Sequence, residues 1–84
     1  MLFTVYVQYA SVHHKIYIGY TSNLAARLLS HNKLATKGWT IRFRPWKVIY
    51  KEEFDSKVAA MVREKELKSA RGRLFIKTLI NCYE

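Results

Sequence analysis

The chain has 84 residues, 50% of them hydrophobic, and its 15 Lys and Arg against 6 Asp and Glu give a formal net charge of +9 at pH 7. A chain of this length buries one modest core, so we expect a single domain over residues 1–84. Its one cysteine, Cys82, excludes an internal disulfide and disfavours any site built from several thiolates.

The strong positive charge predicts an anionic partner, and nucleic acid is the leading one. A membrane is disfavoured because the longest apolar stretch falls far short of the roughly 20 residues that a bilayer span needs. The tryptophans Trp39 and Trp46 also lie around Pro45 in mid-chain and do not line a basic amphipathic helix. We therefore expect a cytoplasmic protein that binds nucleic acid, with a merely solvated basic face as the alternative.

Two strands are predicted at the N-terminus. Residues 2–9 consist mainly of β-branched and aromatic residues on both faces, and residues 16–20 resume this character after a short polar segment at 11–14. The two runs pair naturally as an antiparallel hairpin. Tyr6 and Tyr17 then come from neighbouring strands.

A first helix is predicted from residue 24 to about residue 32. Residues 21–23, Thr-Ser-Asn, offer N-caps, and Leu24 and Leu28 recur at helical spacing. Residues 33–45 contain Gly38 and Pro45 without a sustained period, so we expect a basic loop there.

The second half of the chain predicts one strand and two helices. Residues 46–54 alternate as a third strand, with Trp46 at its start expected to close the core beneath the loop. Asp55 or Ser56 can cap a second helix that runs to about residue 69, and Gly72 predicts a break before a third helix at 74–81. The order favours an α+β fold, a small three-stranded and mostly antiparallel sheet covered by about three helices.

Two polar residues of the first helix border its apolar stripe. Arg27 and His31 are one turn apart and share a face. A guanidinium at the edge of a buried face suits a phosphate, because it offers two parallel hydrogen bonds to phosphate oxygens. From periodicity alone, the alternative stays open that Arg27 lies over the helix edge and His31 is a core histidine.

The order and spacing of several residues resemble the GIY-YIG nuclease superfamily, in particular its short free-standing bacterial members, related to the nuclease domain of the excision-repair incision subunit. The likeness covers nearly the whole chain. The matching positions are Thr4-Val5-Tyr6, Tyr17-Ile18-Gly19, Arg27, His31, Glu64 and the Leu67-Lys68 pair.

This resemblance implies a role for each motif residue. Tyr6 and Tyr17 match the two motif tyrosines, one of which is proposed to activate or position water. Gly19 matches the glycine that lets the chain pass closely beside the site. Arg27 matches the arginine that contacts the scissile phosphate, and His31 the nearby histidine seen in part of the family.

The resemblance also implies the residues that complete the site. Glu64 matches the single carboxylate that holds a divalent metal, Mg²⁺ or Mn²⁺, and Asn81 can stand for a late asparagine that braces the site. The sequence departs from the family pattern at Thr4, where the first motif has glycine. Because Tyr6 is retained, an intact site is still implied.

The helical pattern alone does not distinguish Glu64 from Glu66 as a metal ligand. Each borders the apolar stripe of the second helix, and each could equally be a surface partner of Lys57, Arg63 or Lys68. The resemblance selects Glu64. One carboxylate is sufficient for a cation such as Mg²⁺, which prefers oxygen ligands and keeps several waters.

Basic residues in the loop interleave with aromatic ones and are expected to hold a phosphate backbone, and a second basic cluster, around the break between the second and third helices, is expected to extend this track. No base-reading element is present in the sequence, so we expect little sequence specificity. The predicted nucleic-acid-binding residues are Lys33, Lys37, Arg42, Arg44, Lys68, Arg71 and Arg73.

Together these features predict a metal-dependent endonuclease that acts on DNA, with repair or recombination as the expected context. Two alternatives stay open. The first is a nucleic-acid-binding module on the same scaffold without turnover. The second is an accessory domain that acts only within a larger complex.

Overall fold

The computed structural model describes residues 2–34 and 38–83, apart from the side chains of Leu34, Trp39 and Tyr83. Its regular elements are β1 (Phe3–Ala10), β2 (Lys15–Thr21), α1 (Leu24–Leu29), a π-helical turn (Ser30–Leu34), a 3-10 helix (Trp39–Phe43), β3 (Lys47–Phe54), α2 (Lys57–Lys68) and α3 (Ala70–Tyr83). The three strands form one antiparallel sheet in the order β2-β1-β3. The predicted α+β architecture is therefore confirmed.

The register of the hairpin determines which side chains share a face of the sheet. Tyr6 lies opposite Gly19, and Gln8 lies opposite Tyr17. Because side chains alternate along a strand, these four residues lie on one face of the sheet. Val5 and the other odd-numbered residues of β1 point to the opposite face. The central strand β1 is buried on both faces from residue 5 to residue 10.

One face of the sheet carries the apolar core. Val5 and Val7 of β1 pack with Ala60 and Leu67 of α2 and with Ile76 of α3, and all are at most 1% exposed. At about 25 cal/mol per Å² of buried apolar surface, such a cluster is the main source of stability in a domain of this size. The helices α2 and α3 are therefore held against β1 by this core.

The opposite face is closed by the segment that precedes β3. Trp46 is buried, and its Nε1 donates a hydrogen bond of 2.8 Å to the carbonyl oxygen of Thr40. The Asn32 side chain accepts from the Trp46 amide at 2.6 Å and donates to the Trp46 carbonyl at 3.0 Å. The expectation that Trp46 is buried at the start of β3 is confirmed, but Trp46 lies against Tyr17 on the face opposite the apolar core. Asn32 attaches the π-helical turn to the start of β3.

The predicted starts of the first two helices agree with the structure, but the predicted end of the first helix does not. The side chains of Asn23 and Ser56 cap α1 and α2 by accepting from the amides of Ala26 and Ala59. The predicted first helix was too long, since the α-helix ends at Leu29 and continues as a π-helical turn. No helix of the described residues is long and apolar enough to cross a membrane.

The prediction that Gly72 breaks the chain before the third helix is wrong. The break lies at Ser69, and α3 begins at Ala70 with Gly72 inside its first turn. A Cβ at position 72 would lie 2.3 Å from the carbonyl oxygens of both Glu66 and Leu67. Glycine is therefore required here by the close approach of α3 to the last turn of α2, and not by a turn conformation.

We expect Gly72→Ala to destabilise the fold, although alanine ordinarily stabilises a helix by about 0.5–1 kcal/mol relative to glycine. The added Cβ has to displace main-chain atoms, so the expected loss is about 2 kcal/mol or more in the free energy of unfolding, measured by urea denaturation. Thr78→Ala, an exposed position of α3, serves as the control and should change stability little. Equal midpoints for the two variants would contradict this role of Gly72.

Candidate active site

Two tyrosine side chains meet above a glycine on the face of the hairpin opposite the core. Their ring centroids lie 6.1 Å apart with an interplanar angle of 27°. A Cβ on Gly19 would lie 2.9 Å from the Tyr6 hydroxyl oxygen and 3.0 Å from Cε1 of Tyr17. Real Cβ atoms are rarely found this close to other heavy atoms, so the bare backbone of Gly19 is what admits both rings.

The Tyr6 phenol is 1% exposed, and this burial is the largest cause that raises its pKa well above the ordinary value of 10.0. The nearby Tyr17 raises the pKa of Tyr6 further, and the positive charge of Arg27 acts in the opposite direction. An interaction with the Tyr17 hydroxyl also favours protonated Tyr6. Tyr6 is therefore neutral at neutral pH and can donate a hydrogen bond.

His31 forms a buried contact with the middle of β1. Its Nδ1 lies 2.6 Å from Oε1 of Gln8, and its ring meets that of Tyr17 edge-on, with 4.8 Å between the centroids. With the amide oxygen facing the ring, Nδ1 carries the proton and Nε2 keeps a lone pair. The pKa of His31 is lowered, first by burial and then by the charges of Arg27 and Arg44.

The Gln8 contact is a feature that the sequence analysis missed. Gln8 is fully buried, and its Nε2 has no hydrogen-bond partner among the described residues. The signal in the sequence is a carboxamide within an apolar strand, opposite Tyr17 in the hairpin register. Burying an amide lowers the stability of the fold unless the amide is hydrogen-bonded. Here the amide oxygen accepts from His31, and this bond determines the orientation of the His31 ring.

Arg27 and Glu64 approach Tyr6 from two different helices. Arg27 of α1 is exposed, and its charge lowers the pKa of both Tyr6 and His31. Glu64 of α2 has a side chain that is 19% exposed, and its negative charge raises the pKa of Tyr6. The structure thus places Tyr17, Arg27 and Glu64 within electrostatic range of the same phenol.

The two glutamates left open by the helical pattern differ in burial. Glu64 lies between the buried positions 60 and 67 of α2, whereas Glu66 is exposed. The alternative interpretation of Glu64 was a surface ion pair with a neighbouring basic residue. Such a pair is present, since Lys68 Nζ lies 3.3 Å from Glu64 Oε1. Arg63 pairs with Glu52 instead, at 2.7 Å.

The described residues hold no group of three or more histidine, cysteine or acidic side chains that could form a metal site. Glu64 is a single carboxylate within electrostatic range of the Tyr6 phenol. This oxygen donor set fits a hard cation that keeps most of its water and does not fit one that needs several protein ligands. Asn81 is exposed near the end of α3, and no hydrogen bond among the described residues joins it to Tyr6, Tyr17 or Glu64.

The predicted nucleic-acid-binding residues occupy different environments. Lys33, Arg42, Arg71 and Arg73 are exposed, Lys68 pairs with Glu64, and Lys37 lies outside the described residues.

Arg44 has a structural contact as well. Its Nε donates to the His31 carbonyl oxygen at 2.6 Å, and its Nη2 donates to that of Ser30 at 3.2 Å. Its guanidinium thereby satisfies carbonyls at the end of α1, where the π-helical turn begins.

We expect His31 to make the stability of the fold depend on pH. Because the folded chain lowers the pKa of His31, the unfolded chain takes up the proton first as the pH falls below about 6.5. The contribution of His31 is therefore complete above about pH 6.5 and is lost as the pH falls through the depressed folded pKa. His31→Gln should reduce the difference between urea midpoints at pH 7.5 and at acid pH.

His13→Gln, a change at an exposed histidine, is the control and should leave that difference as in the wild type. The interpretation of His31 as a neutral buried base is wrong if both variants keep the wild-type pH dependence.

The chain is similar to known proteins of one family. A sequence model described as the GIY-YIG catalytic domain matches residues 2–78 of the chain. The UPF0213 protein SH2523 of Staphylococcus haemolyticus is 43% identical over 54 residues, which cover 64% of this chain and 66% of that protein. The UPF0213 protein NP_0776A of Natronomonas pharaonis is 41% identical over 54 residues, 64% of each chain. The matched segment thus spans slightly less than two thirds of these relatives.

A solved structure shows the same fold. The solution NMR structure of the UPF0213 protein BH0048 from Bacillus halodurans covers 94% of this chain and 85% of its own, with a TM-score of 0.56 and 27% sequence identity. The names of these relatives state no activity.

Proposed function

The chain belongs to the GIY-YIG family, whose catalytic domains are of the nuclease type, and from that premise we propose that it is a metal-dependent endonuclease that hydrolyses phosphodiester bonds in DNA. The observation that supports this most directly is the pair of phenols, Tyr6 and Tyr17, whose ring centroids lie 6.1 Å apart above Gly19. Two stacked tyrosines at a site with Arg27, His31 and Glu64 nearby exceed what packing alone requires. Repair or recombination is the context we propose for such an activity.

In the proposed reaction, Tyr17 first gives up its own phenol proton, and the resulting phenolate receives the proton of the attacking water. The water oxygen forms a bond to phosphorus, the bond from phosphorus to the leaving 3′ oxygen breaks, and solvent protonates that oxygen. A hydrogen bond donated by Tyr6 stabilises negative charge on the Tyr17 oxygen, so Tyr6 is the positioning partner and not the base. His31 keeps a lone pair on Nε2 beside Tyr17 that can take up the phenol proton.

Arg27 and Glu64 act on the phosphate in this proposal. The exposed guanidinium of Arg27 binds the scissile phosphate and stabilises the charge that builds on its oxygens. Glu64 is the residue that would hold Mg²⁺ or Mn²⁺. A divalent cation bound there would polarise the phosphate and offset its charge.

The basic residues bind the flanking phosphates. Lys33, Arg42, Arg71 and Arg73 are exposed, and we propose that they hold the DNA backbone together with Lys37, Lys68 and Arg44. Asn81 remains a proposed supporting residue at the end of α3. Recognition of the backbone without base readout follows if these contacts dominate.

A binding module without turnover is a second candidate, and one observation favours it. Lys68 occupies the Glu64 carboxylate in an ion pair of 3.3 Å. The ammonium charge opposes the binding of a cation to this carboxylate, and the opposition is relieved if the lysine moves, for example to a phosphate of the substrate. A third candidate, an accessory domain of a larger assembly, would show activity only when its partner is added.

We expect cleavage of labelled branched or single-stranded DNA in Mg²⁺ or Mn²⁺ by the wild-type chain. Glu64→Gln and Arg27→Gln should each reduce the rate by about 100-fold or more, since each removes charge stabilisation in the transition state. Tyr17→Phe should cost about 100-fold, the range of general base catalysis. Tyr6→Phe should cost less, about tenfold, because it removes only a partner of the base.

Glu66→Gln is the matched control on α2, because it removes an exposed carboxylate two residues from Glu64. It should leave the rate unchanged. If the wild type and all variants cleave nothing but bind DNA with the same salt dependence, the endonuclease proposal is wrong and the binding module without turnover is supported.

We expect Gly19→Ala to lower the cleavage rate through Tyr6. The new Cβ would lie 2.9 Å from the Tyr6 hydroxyl and has to push it away, and displacements of this size cost up to about 100-fold in rate. In the Tyr6→Phe background the same change should cost clearly less, because the hydroxyl in closest contact is gone. Independent, multiplicative effects would contradict the coupling between Gly19 and the Tyr6 hydroxyl.

A further inference from the structure

The outer edge of the sheet forms one wall of a groove beside the candidate active site. The groove lies between β2 and α3 and has a volume of about 880 Å³. This volume lies in the upper part of the range of about 300–1,000 Å³ that is typical of ligand pockets. No strand of the described residues pairs with the outer edge of β2, so the groove is open along its length.

The floor of the groove is apolar and exposed. Leu74 of α3 is 67% exposed, Ile16 of β2 is also exposed, and Ile18 lies between them and the core. Side chains of this kind offer a surface to flat, weakly hydrated rings. The bases of a single strand are such rings, whereas a duplex keeps them in its interior.

The rim of the groove carries positive charge. Lys15 stands on the β2 side, and Lys68, Arg73 and Lys77 stand on the helix side. Among the described residues that line it, none is acidic. A neutral or basic peptide added to the edge of β2 would gain nothing from this rim, so the charges select a polyanion.

The groove borders the candidate active site. Tyr17 lines the groove, and its ring also stacks against that of Tyr6. Lys68 lines the groove and pairs with Glu64. A strand lying in the groove would therefore pass beside one residue of the tyrosine pair and beside the partner of the carboxylate.

We propose that this groove binds a single strand of DNA, with bases against Ile16 and Leu74 and phosphates along the lysine and arginine rim. The inference deepens the proposed function and rests on it for the position of cleavage. It makes unpaired DNA, such as a flap or an overhang, the substrate class. Binding itself does not depend on turnover, so the two proposals can fail separately.

The test is binding of fluorescently labelled oligothymidylate to the full chain in EDTA, followed by fluorescence anisotropy. Leu74→Ser should weaken binding about fivefold, because it removes apolar surface that the bases cover. Val58→Ser, a change at an apolar residue that is 69% exposed on α2, is the matched control and should leave binding unchanged. Binding of a duplex should be unaffected by either change.

The rim is tested by salt dependence. The double variant Arg73→Gln/Lys77→Gln should reduce the slope of log affinity against log salt by about 1.4, since each neutralised phosphate of a single strand contributes about 0.7. Lys51→Gln/Lys57→Gln removes the same charge at exposed positions away from the groove and should change the slope less. Circular dichroism checks that all variants are folded.

Equal affinities of Leu74→Ser and Val58→Ser for the single strand would overturn the proposal, as would equal slopes for the two double variants. It is also overturned if an acidic peptide binds in a Leu74-dependent way while oligothymidylate does not. If the chain cleaves no DNA but the groove variants lose affinity as expected, the groove proposal stands and the nuclease proposal is wrong. If the chain cleaves DNA and the groove variants bind the single strand as their controls do, the nuclease proposal stands and the groove proposal is wrong.

Discussion

The absence of a side chain at Gly19 is the constraint on which the site depends. Position 19 faces Tyr6 across the hairpin, and any Cβ there would meet both phenols within 3.0 Å. The hairpin register has to hold as well, because a slip by one residue would turn Tyr6 toward the core and bring Val5 or Val7 to the other face. The positions of the Tyr6 and Tyr17 side chains thus follow from the glycine at position 19 and from the register of β1 with β2.

The two faces of β1 have different tasks. On one face, Val5 and Val7 pack against Leu67 and hold the helices in place. On the other face, Gln8 and His31 form a buried polar contact that contributes little to stability when both groups lose water. A strand buried on both sides therefore provides a rigid support for polar groups that would be mobile on a loop.

The sequence predicted the elements that follow from local rules and left open what depends on contacts between distant segments. Alternation predicted the strands, and the caps Asn23 and Ser56 predicted two helix starts. The prediction for Gly72 is wrong because glycine can end a helix and can also admit close packing. Local sequence does not separate these two uses, since the packing partner lies on α2.

For the candidate site, periodicity brought Arg27 to the edge of a face but left Glu64 and Glu66 equivalent, and only a family resemblance separated them. The Gln8–His31 contact could not be predicted, since it joins residues 23 positions apart through the strand register. Lys68, finally, pairs with the carboxylate of Glu64 and also lines the rim of the groove. An anion that draws this ammonium group away releases Glu64 for a cation, and by thermodynamic reciprocity a cation on Glu64 strengthens the hold on the anion by the same factor.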